Sequence, residues 1–232
     1  MAESRKNILE MYADLRLADV RDGMDWVGLN SHGSVDQGIR PMTEGMVATG
    51  IARTVRMRPT QIQVPQMTPA EYTKWAYDFW YGKVSPGAFA KEIEEGDMMI
   101  VQSAEIPDVG ELGSNNTLEW YANGARGIVT SGGVRDRDEC RMQNVPIWHR
   151  YYGQKMTQGR SEFDASQVPV KIGGQLVRPG DVVVADGDGV LFVPIEFAVE
   201  VAKYARQEFV NDKKGRRGIY ERMGRALDPS VL

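Results

Sequence analysis

Val182-Val183-Val184-Ala185-Asp186-Gly187-Asp188-Gly189-Val190-Leu191-Phe192-Val193 is two apolar runs of four residues around a polar centre. Asp-Gly pairs tolerate the positive φ angles of tight turns, so the stretch reads as a β-hairpin. Both runs are apolar on both faces, which predicts a central place in a sheet. Just before it, Pro179-Gly180-Asp181 is a turn feeding the first strand, and Glu95-Gly96-Asp97 stands in the same way before Met98-Met99-Ile100-Val101. After it, a helix is expected from about Ile195 to Lys213, with Phe197, Val201, Tyr204, Ala205 and Phe209 on one side.

Towards the N-terminus, Gly127-Ile128-Val129-Thr130 reads as a strand behind a short helix, Asn115 to Asn123, stopped by Gly124. Val47 to Met57 is rich in β-branched residues and is bracketed by Gly45 and Pro59, a further strand. Ser4 to Val27 is helical in pattern, with a restart after Asp19. Thr68-Pro69-Ala70-Glu71 offers a cap, a first-turn proline and a closing glutamate. Tyr72, Trp75, Ala76, Phe79 and Trp80 then share one face, which is expected to be core; Ser85-Pro86 would start another helix leading to Phe89 and Ile93. Strands alternating with helices give an α/β fold.

The 232 residues are 42% hydrophobic and 26% charged, which suits one domain, 1–232, with a core over about 17–194 and a C-terminal helical segment over 195–232. Met1 to Glu10 carries Glu3, Arg5, Lys6 and Glu10 and no apolar stretch, so a cytoplasmic protein with no membrane span is expected. One cysteine, Cys140, excludes an internal disulfide and a Cys-based zinc centre. A net charge of −4 argues against a nucleic-acid-binding protein. Lys213, Lys214, Arg216 and Arg217, around Gly215, read as a solvated basic loop after the last helix rather than a phosphate site.

With only His32 and His149 there is no HExxH helix, and the chain has no GxSxG elbow, P-loop or GxGxxG after a strand. What stands out is Ser131-Gly132-Gly133-Val134-Arg135-Asp136, directly after a predicted strand. Paired glycines permit a turn that brings Arg135 and Asp136 to one cleft. A guanidinium can hold the carboxylate or carbonyl oxygen of an oxo-acid, and one aspartate can anchor hydrated Mg²⁺. From spacing alone, a surface Arg/Asp pair in a loop is an equal reading.

Gly124-Ala125-Arg126-Gly127-Ile128-Val129-Thr130-Ser131-Gly132-Gly133-Val134-Arg135-Asp136 resembles the central signature of the RraA-like family, which includes 4-hydroxy-4-methyl-2-oxoglutarate/4-carboxy-4-hydroxy-2-oxoadipate aldolases. Ile172-Gly173-Gly174, the run from Val177 to Pro194 and Gly38-Ile39-Arg40-Pro41 agree with it. The resemblance implies a swivelling β/β/α domain in trimers or hexamers, with sites between subunits, and a divalent-metal lyase releasing pyruvate by retro-aldol cleavage or oxaloacetate decarboxylation. Arg135 would hold the pyruvyl group and Asp136 the Mg²⁺ or Mn²⁺. Gly113, Ser114, Asn115 and Asn116, leading into the helix, would bind the substrate carboxylate. Arg160 falls where aldolase relatives have a lysine and would take a second carboxylate. Glu208 or Asp212, from a neighbouring subunit's C-terminal helix, would reach the metal's waters.

The pattern departs from the aldolase relatives at Ser114, where they carry an acidic residue; Glu111, three residues earlier, is the candidate substitute. Thr68 to Phe89 is expanded and aromatic by comparison, which implies a differently shaped pocket. Two other functions fit the resemblance: a non-catalytic regulator of an RNA-processing enzyme, and a same-scaffold enzyme such as a sugar-acid dehydratase.

Overall fold

A computed structural model describes residues 3–85 and 87–232. Its elements, in order, are α1 (Arg5–Met11), α2 (Leu17–Trp26), β1 (Arg40–Pro41), β2 (Ala48–Pro59), α3 (Pro69–Trp75), β3 (Asp97–Gln102), β4 (Gly110–Leu112), α4 (Ser114–Ala122), β5 (Ala125–Thr130), β6 (Gly133–Val134), α5 (Arg137–Gln143), β7 (Ile147–His149), β8 (Tyr151–Tyr152), β9 (Ser161–Ser166), β10 (Val170–Ile172), β11 (Gln175–Val177), β12 (Val182–Asp186), β13 (Gly189–Val193) and α6 (Ala198–Met223). A π-helical stretch, Ala76–Val84, continues α3, and short 3-10 turns occupy Ala88–Glu92 and Ile195–Phe197.

An eight-stranded sheet runs β1-β7-β5-β3-β2-β12-β13, with β9 also paired to β2. Its centre, β2-β3-β5-β7, is parallel, and β12 and β13 add on antiparallel. One face packs on α1, α2 and α6 through Ile8, Tyr12, Met24, Val182, Leu191, Val201 and Ala205. The other carries Val55, Ile100 and Ile128 against Trp120 of α4, Cys140 of α5, and the small sheets β4-β6-β8 and β10-β11. This is the layered β/β/α arrangement expected from the resemblance, with a C-terminal helix.

The hairpin forms as expected, Val182↔Val193 through Asp186↔Gly189, with Gly189 at φ 134. Its position differs: β13 ends the path rather than lying centrally. It is nonetheless buried throughout, because both faces are covered and Leu191 forms a bridge with Ser34 at the outer edge. The two Gly-Asp turns are built alike. Gly96 and Gly180 take φ 88 and 93, and Asp97 and Asp181 accept the Glu94 and Arg178 N–H at 2.8 Å.

The N-terminal pattern resolves into α1 and α2, broken before Leu17. Thr68 and Glu71 form the expected capping box. Along α3 and its π-helical continuation Ala76 and Trp80 are buried, Tyr72, Trp75 and Phe79 are half-buried, and Tyr77 and Tyr81 face out, so only the C-terminal part of the stripe enters the core. Of the start at Ser85-Pro86, Pro86 lies outside the described residues. The last helix runs well past Lys213, so the basic cluster lies on α6 and not in a loop. Arg216–Asp212 and Arg217–Glu221 pairs, each at 3.1 Å and four residues apart, support that last stretch, and Gly224 in the left-handed region ends it. No helix among the described residues is long and apolar enough to cross a membrane.

Candidate active site

β5 ends at Thr130, and the chain bends through Ser131 and Gly132 into β6, which lies between β4 and β8. Neither Gly132 nor Gly133 has positive φ. What both supply is space: a Cβ on Gly132 would lie 2.3 Å from the Ser103 Oγ, and one on Gly133 2.4 Å from the Val109 carbonyl oxygen. The reversal assigned to the glycines occurs instead at Asp136, at φ 58 and ψ 45. Aspartate is among the few residues that enter this left-handed region at modest cost.

That single turn makes Arg135 and Asp136 converge. The Arg135 Nε donates to the Asp136 Oδ1 at 3.2 Å, and both side chains are about one-third exposed. The Arg135 N–H donates to the Leu112 carbonyl at 2.8 Å, which fixes the pair against β4. The other carboxylate oxygen, Oδ2, accepts from the Ser114 N–H at 3.2 Å and from its hydroxyl at 3.4 Å. The aspartate therefore caps α4, whose own cap residue, Gly113, has no side chain to do so. A Cβ on Gly113 would lie 2.6 Å from the same oxygen. Ser114 thus lies against Asp136, and Asn115 and Asn116 occupy the same first turn of α4. No i−4 helical carbonyl serves their N–H groups, so this end of α4 carries positive potential.

Glu111 turns elsewhere. Its Oε1 accepts from the Ala104 N–H at 3.1 Å and from the Ser161 hydroxyl, and its Oε2 is buried without a partner among the described residues. Arg160 is exposed and donates to the Met156 and Gln158 carbonyls, both at 3.2 Å; no hydrogen bond or ion pair described joins it to the pair. On α6, Glu208 accepts from the Trp26 indole N–H at 3.1 Å, and Asp212 pairs with Arg16 and Arg216.

The donor set fits a hydrated divalent cation held by one carboxylate. Among the described residues no three His, Cys, Asp or Glu side chains are gathered as a cage, but Mg²⁺ commonly keeps several waters and takes one or two carboxylates. Asp136 is exposed enough to serve, and Gly113 keeps the approach to its Oδ2 free of a side chain.

Two depressions lie near this region. One of about 880 Å³ is lined by Arg56, Arg58, Ser103, Asp108, Tyr151 and Lys171 among others. A smaller one, about 280 Å³, lies beside α4 and includes Glu111, Asn116 and Trp120. Neither is lined by Arg135 or Asp136. The aromatic segment that the sequence reads as reshaping a pocket contributes Tyr81 and Phe89 to the small cavity; the place of Glu111 of β4 in its lining is not legible in the sequence.

Residues 17–192 match the model of a family described as RraA-like, Aldolase/RraA. The DlpA protein of Legionella pneumophila is 25% identical over 202 residues, which span 86% of this chain and 29% of DlpA. A protein of Halalkalibacterium halodurans, provisionally named a 4-hydroxy-4-methyl-2-oxoglutarate aldolase, is 26% identical over 220 residues, covering 94% of this chain and 91% of that protein. Among solved structures, RraAS2 of Streptomyces coelicolor, described as an unusual member of the RNase ES inhibitor RraA protein family, aligns with a TM-score of 0.74 at 26% identity, over 93% of this chain and 98% of that one.

Proposed function

Because the chain belongs to the RraA-like family, we propose that it is a divalent-metal-dependent lyase that cleaves a C–C bond beside a pyruvyl unit, by retro-aldol reaction or by decarboxylation of oxaloacetate. The observation that carries this reading is the convergence of the Arg135 guanidinium, the Asp136 carboxylate and the N-terminal turn of α4 on one exposed spot. An anionic oxo-acid finds a cation and helix N–H groups there, and the α4 terminus favours its carboxylate. Names among the relatives support a lyase of this class.

In this reading the N–H groups of Asn115 and Asn116 orient the substrate carboxylate, with Gly113 giving the backbone room to approach. Arg135 lies against the 2-oxo oxygen and stabilises the charge that grows there as the C–C bond breaks and a pyruvate enolate leaves. Asp136 would hold Mg²⁺ or Mn²⁺, which when bound supplies Lewis-acid polarisation of the same oxygen. Asp136 also keeps Arg135 in place through the Nε–Oδ1 bond. Because the guanidinium and its surroundings are preorganised for the developing anion, no covalent intermediate is needed.

Arg160 belongs to the proposal as a residue for a second substrate carboxylate, reached by leaving its present carbonyl partners. Glu208 and Asp212 belong to it as acidic groups offered to a neighbouring subunit of a trimer or hexamer. A cytoplasmic setting fits the same reading. A screen for pyruvate release from oxaloacetate and branched 4-hydroxy-2-oxo diacids, with and without Mg²⁺, tests it. Metal-dependent release from at least one is expected; none from any would contradict it.

The family also contains proteins described as RNase inhibitors, so a non-catalytic regulator is the second reading. EDTA separates the two, because chelation should eliminate a lyase activity and leave protein binding unchanged. Ser114 in place of an acidic residue is the observation that favours a different reaction on the same scaffold, such as a dehydration.

A further inference from the structure

The segment from Met156 to Ser161 carries Arg160 and closes on itself. The Arg160 and Ser161 N–H groups both donate to the Thr157 carbonyl at 2.9 Å, and one terminal nitrogen of Arg160 donates to the Met156 and Gln158 carbonyls at 3.2 Å. The next side chain, Ser161, donates through its hydroxyl to Glu111 of β4, and the adjacent Leu112 carbonyl accepts the Arg135 N–H at 2.8 Å. Two consecutive residues of β4 thus join this loop to the Arg135–Asp136 pair.

The stretch between β2 and β3 grips the same loop from outside. The amide nitrogen of the buried Gln158 donates to the Tyr81 hydroxyl at 2.7 Å. Gly159, at φ 69, lies against Val64, where a Cβ would stand 2.6 Å from the Val64 Cγ2. At the end of β2 the Thr60 N–H donates to the Arg160 carbonyl at 2.9 Å.

Tyr81 can grip because its own helix is pinned. Trp80, the residue before it, is fully buried, and the Ser85 N–H donates to the Trp80 carbonyl at 2.8 Å, the five-residue step of a π-helix. Such turns are rare and recur at functional sites. Arg160 is exposed, so its side chain has room to leave the two carbonyls while its backbone stays in place. A cation on a fixed backbone loses less freedom on taking a carboxylate than one on a mobile loop.

We propose that Tyr81 and Val64 are positioning residues: by holding Gln158 and Gly159 they fix the backbone from which Arg160 reaches the second carboxylate of the substrate, and so set a preference for diacids. The role of Arg160 rests on the lyase reading above. The grip on its loop does not.

Calorimetric binding of 2-oxoglutarate and 2-oxopentanoate to the full chain in Mg²⁺ tests this without turnover. The two acids differ by the remote carboxylate, and neither carries the 4-hydroxyl that retro-aldol cleavage needs. The wild-type chain should bind the diacid at least about tenfold more tightly, the scale of one charge-assisted hydrogen bond. Tyr81→Phe keeps the ring and removes the hydroxyl; it should cut that preference about fivefold, the scale of one neutral hydrogen bond, by weakening 2-oxoglutarate alone. Val64→Ala, at a partly exposed position, should act in the same direction and keeps the test decisive if the tyrosine variant fails to fold. In Arg160→Ala the preference should be gone, and adding Tyr81→Phe should change nothing further, because a residue that acts only through another has no effect without it. A merely structural tyrosine would weaken both acids alike. The proposal is overturned by no preference for 2-oxoglutarate in the wild type, an unchanged preference in both variants, a loss shared by both acids, or a Tyr81→Phe loss that persists without Arg160. Pyruvate release from oxaloacetate on the same samples keeps the two readings apart. The expected binding pattern without release counts against the lyase alone, and release without that pattern counts against the proposal alone.

Discussion

At Asp136 the backbone enters the left-handed region at φ 58, and that one residue does three things: it turns Arg135 and its own carboxylate to one side, caps α4 through Ser114, and starts α5. Backbone strain of this kind persists where the surroundings enforce it. The Gly113→Ala variant tests how closely the carboxylate is placed. Its Cβ would stand 2.6 Å from the Asp136 Oδ2, so the carboxylate must move; a displacement near 1 Å would lower kcat/KM on the order of a hundredfold. Unchanged kcat/KM would show that Asp136 is not held for catalysis. Cys140 behaves oppositely. It is buried, and burial pushes its thiol above the ordinary value, so its thiolate is suppressed at neutral and mildly alkaline pH. A thiol reagent at pH 8 should label it only after unfolding; rapid labelling of the native chain would contradict this. At this scale the sequence singled out Arg135 and Asp136 because their types are complementary, and the structure sets them side by side. It did not show that the turn falls on Asp136, because aspartate tolerates αL without requiring it. Nor could it show the unserved oxygen of Glu111, which depends on what β9 and the 103–105 loop bring alongside.

Between elements, close approach decides more than propensity. The bend from β5 into β6 requires Gly132 because a Cβ there would lie 2.3 Å from the Ser103 Oγ and 2.4 Å from its Cβ. Gly132→Ala should therefore cost about 1–3 kcal/mol by overpacking. Ser103→Gly in the same chain should restore part of that loss, read by urea denaturation; strictly additive losses would mean the strain lies elsewhere. At α3 the capping box of Thr68 and Glu71 satisfies end groups of a helix with no buried residue, so Thr68→Ala should raise amide exchange in that helix by roughly the 1 kcal/mol a cap contributes, with pyruvate release unaffected. The capping box, the Gly-Asp turns and the hairpin were legible because each depends on a few adjacent residues. The full length of α6 was not, because its end depends on Arg216–Asp212 and Arg217–Glu221 pairs outweighing two internal glycines. Reading glycine and lysine as a loop missed that balance.

For the molecule as a whole, the sheet brings together β4, β6 and β8 from three separate parts of the chain, and the candidate active site lies where β4 and β6 end. The α/β class followed from alternation of strands and helices, and the layering from the resemblance carried by residues 124–136 and 177–194. The order of strands is different in kind: parallel neighbours such as β3 and β5 are joined through intervening helices, and nothing local in β13 says that it ends the path. The layout also separates stability from chemistry. Arg135 and Asp136 form a pair about one-third exposed, which contributes about 0–1 kcal/mol, while the buried clusters on the two faces of the sheet hold the fold. The central claim is that this pair exists for oxo-acid cleavage. Its most direct test is pyruvate release by Arg135→Ala beside the wild-type chain in Mg²⁺, with thermal melting on the same samples. The account predicts at least about a hundredfold loss of kcat/KM, the scale of losing one preorganised charge-stabilising group, with the melting temperature unchanged. Undiminished release in the variant would contradict it.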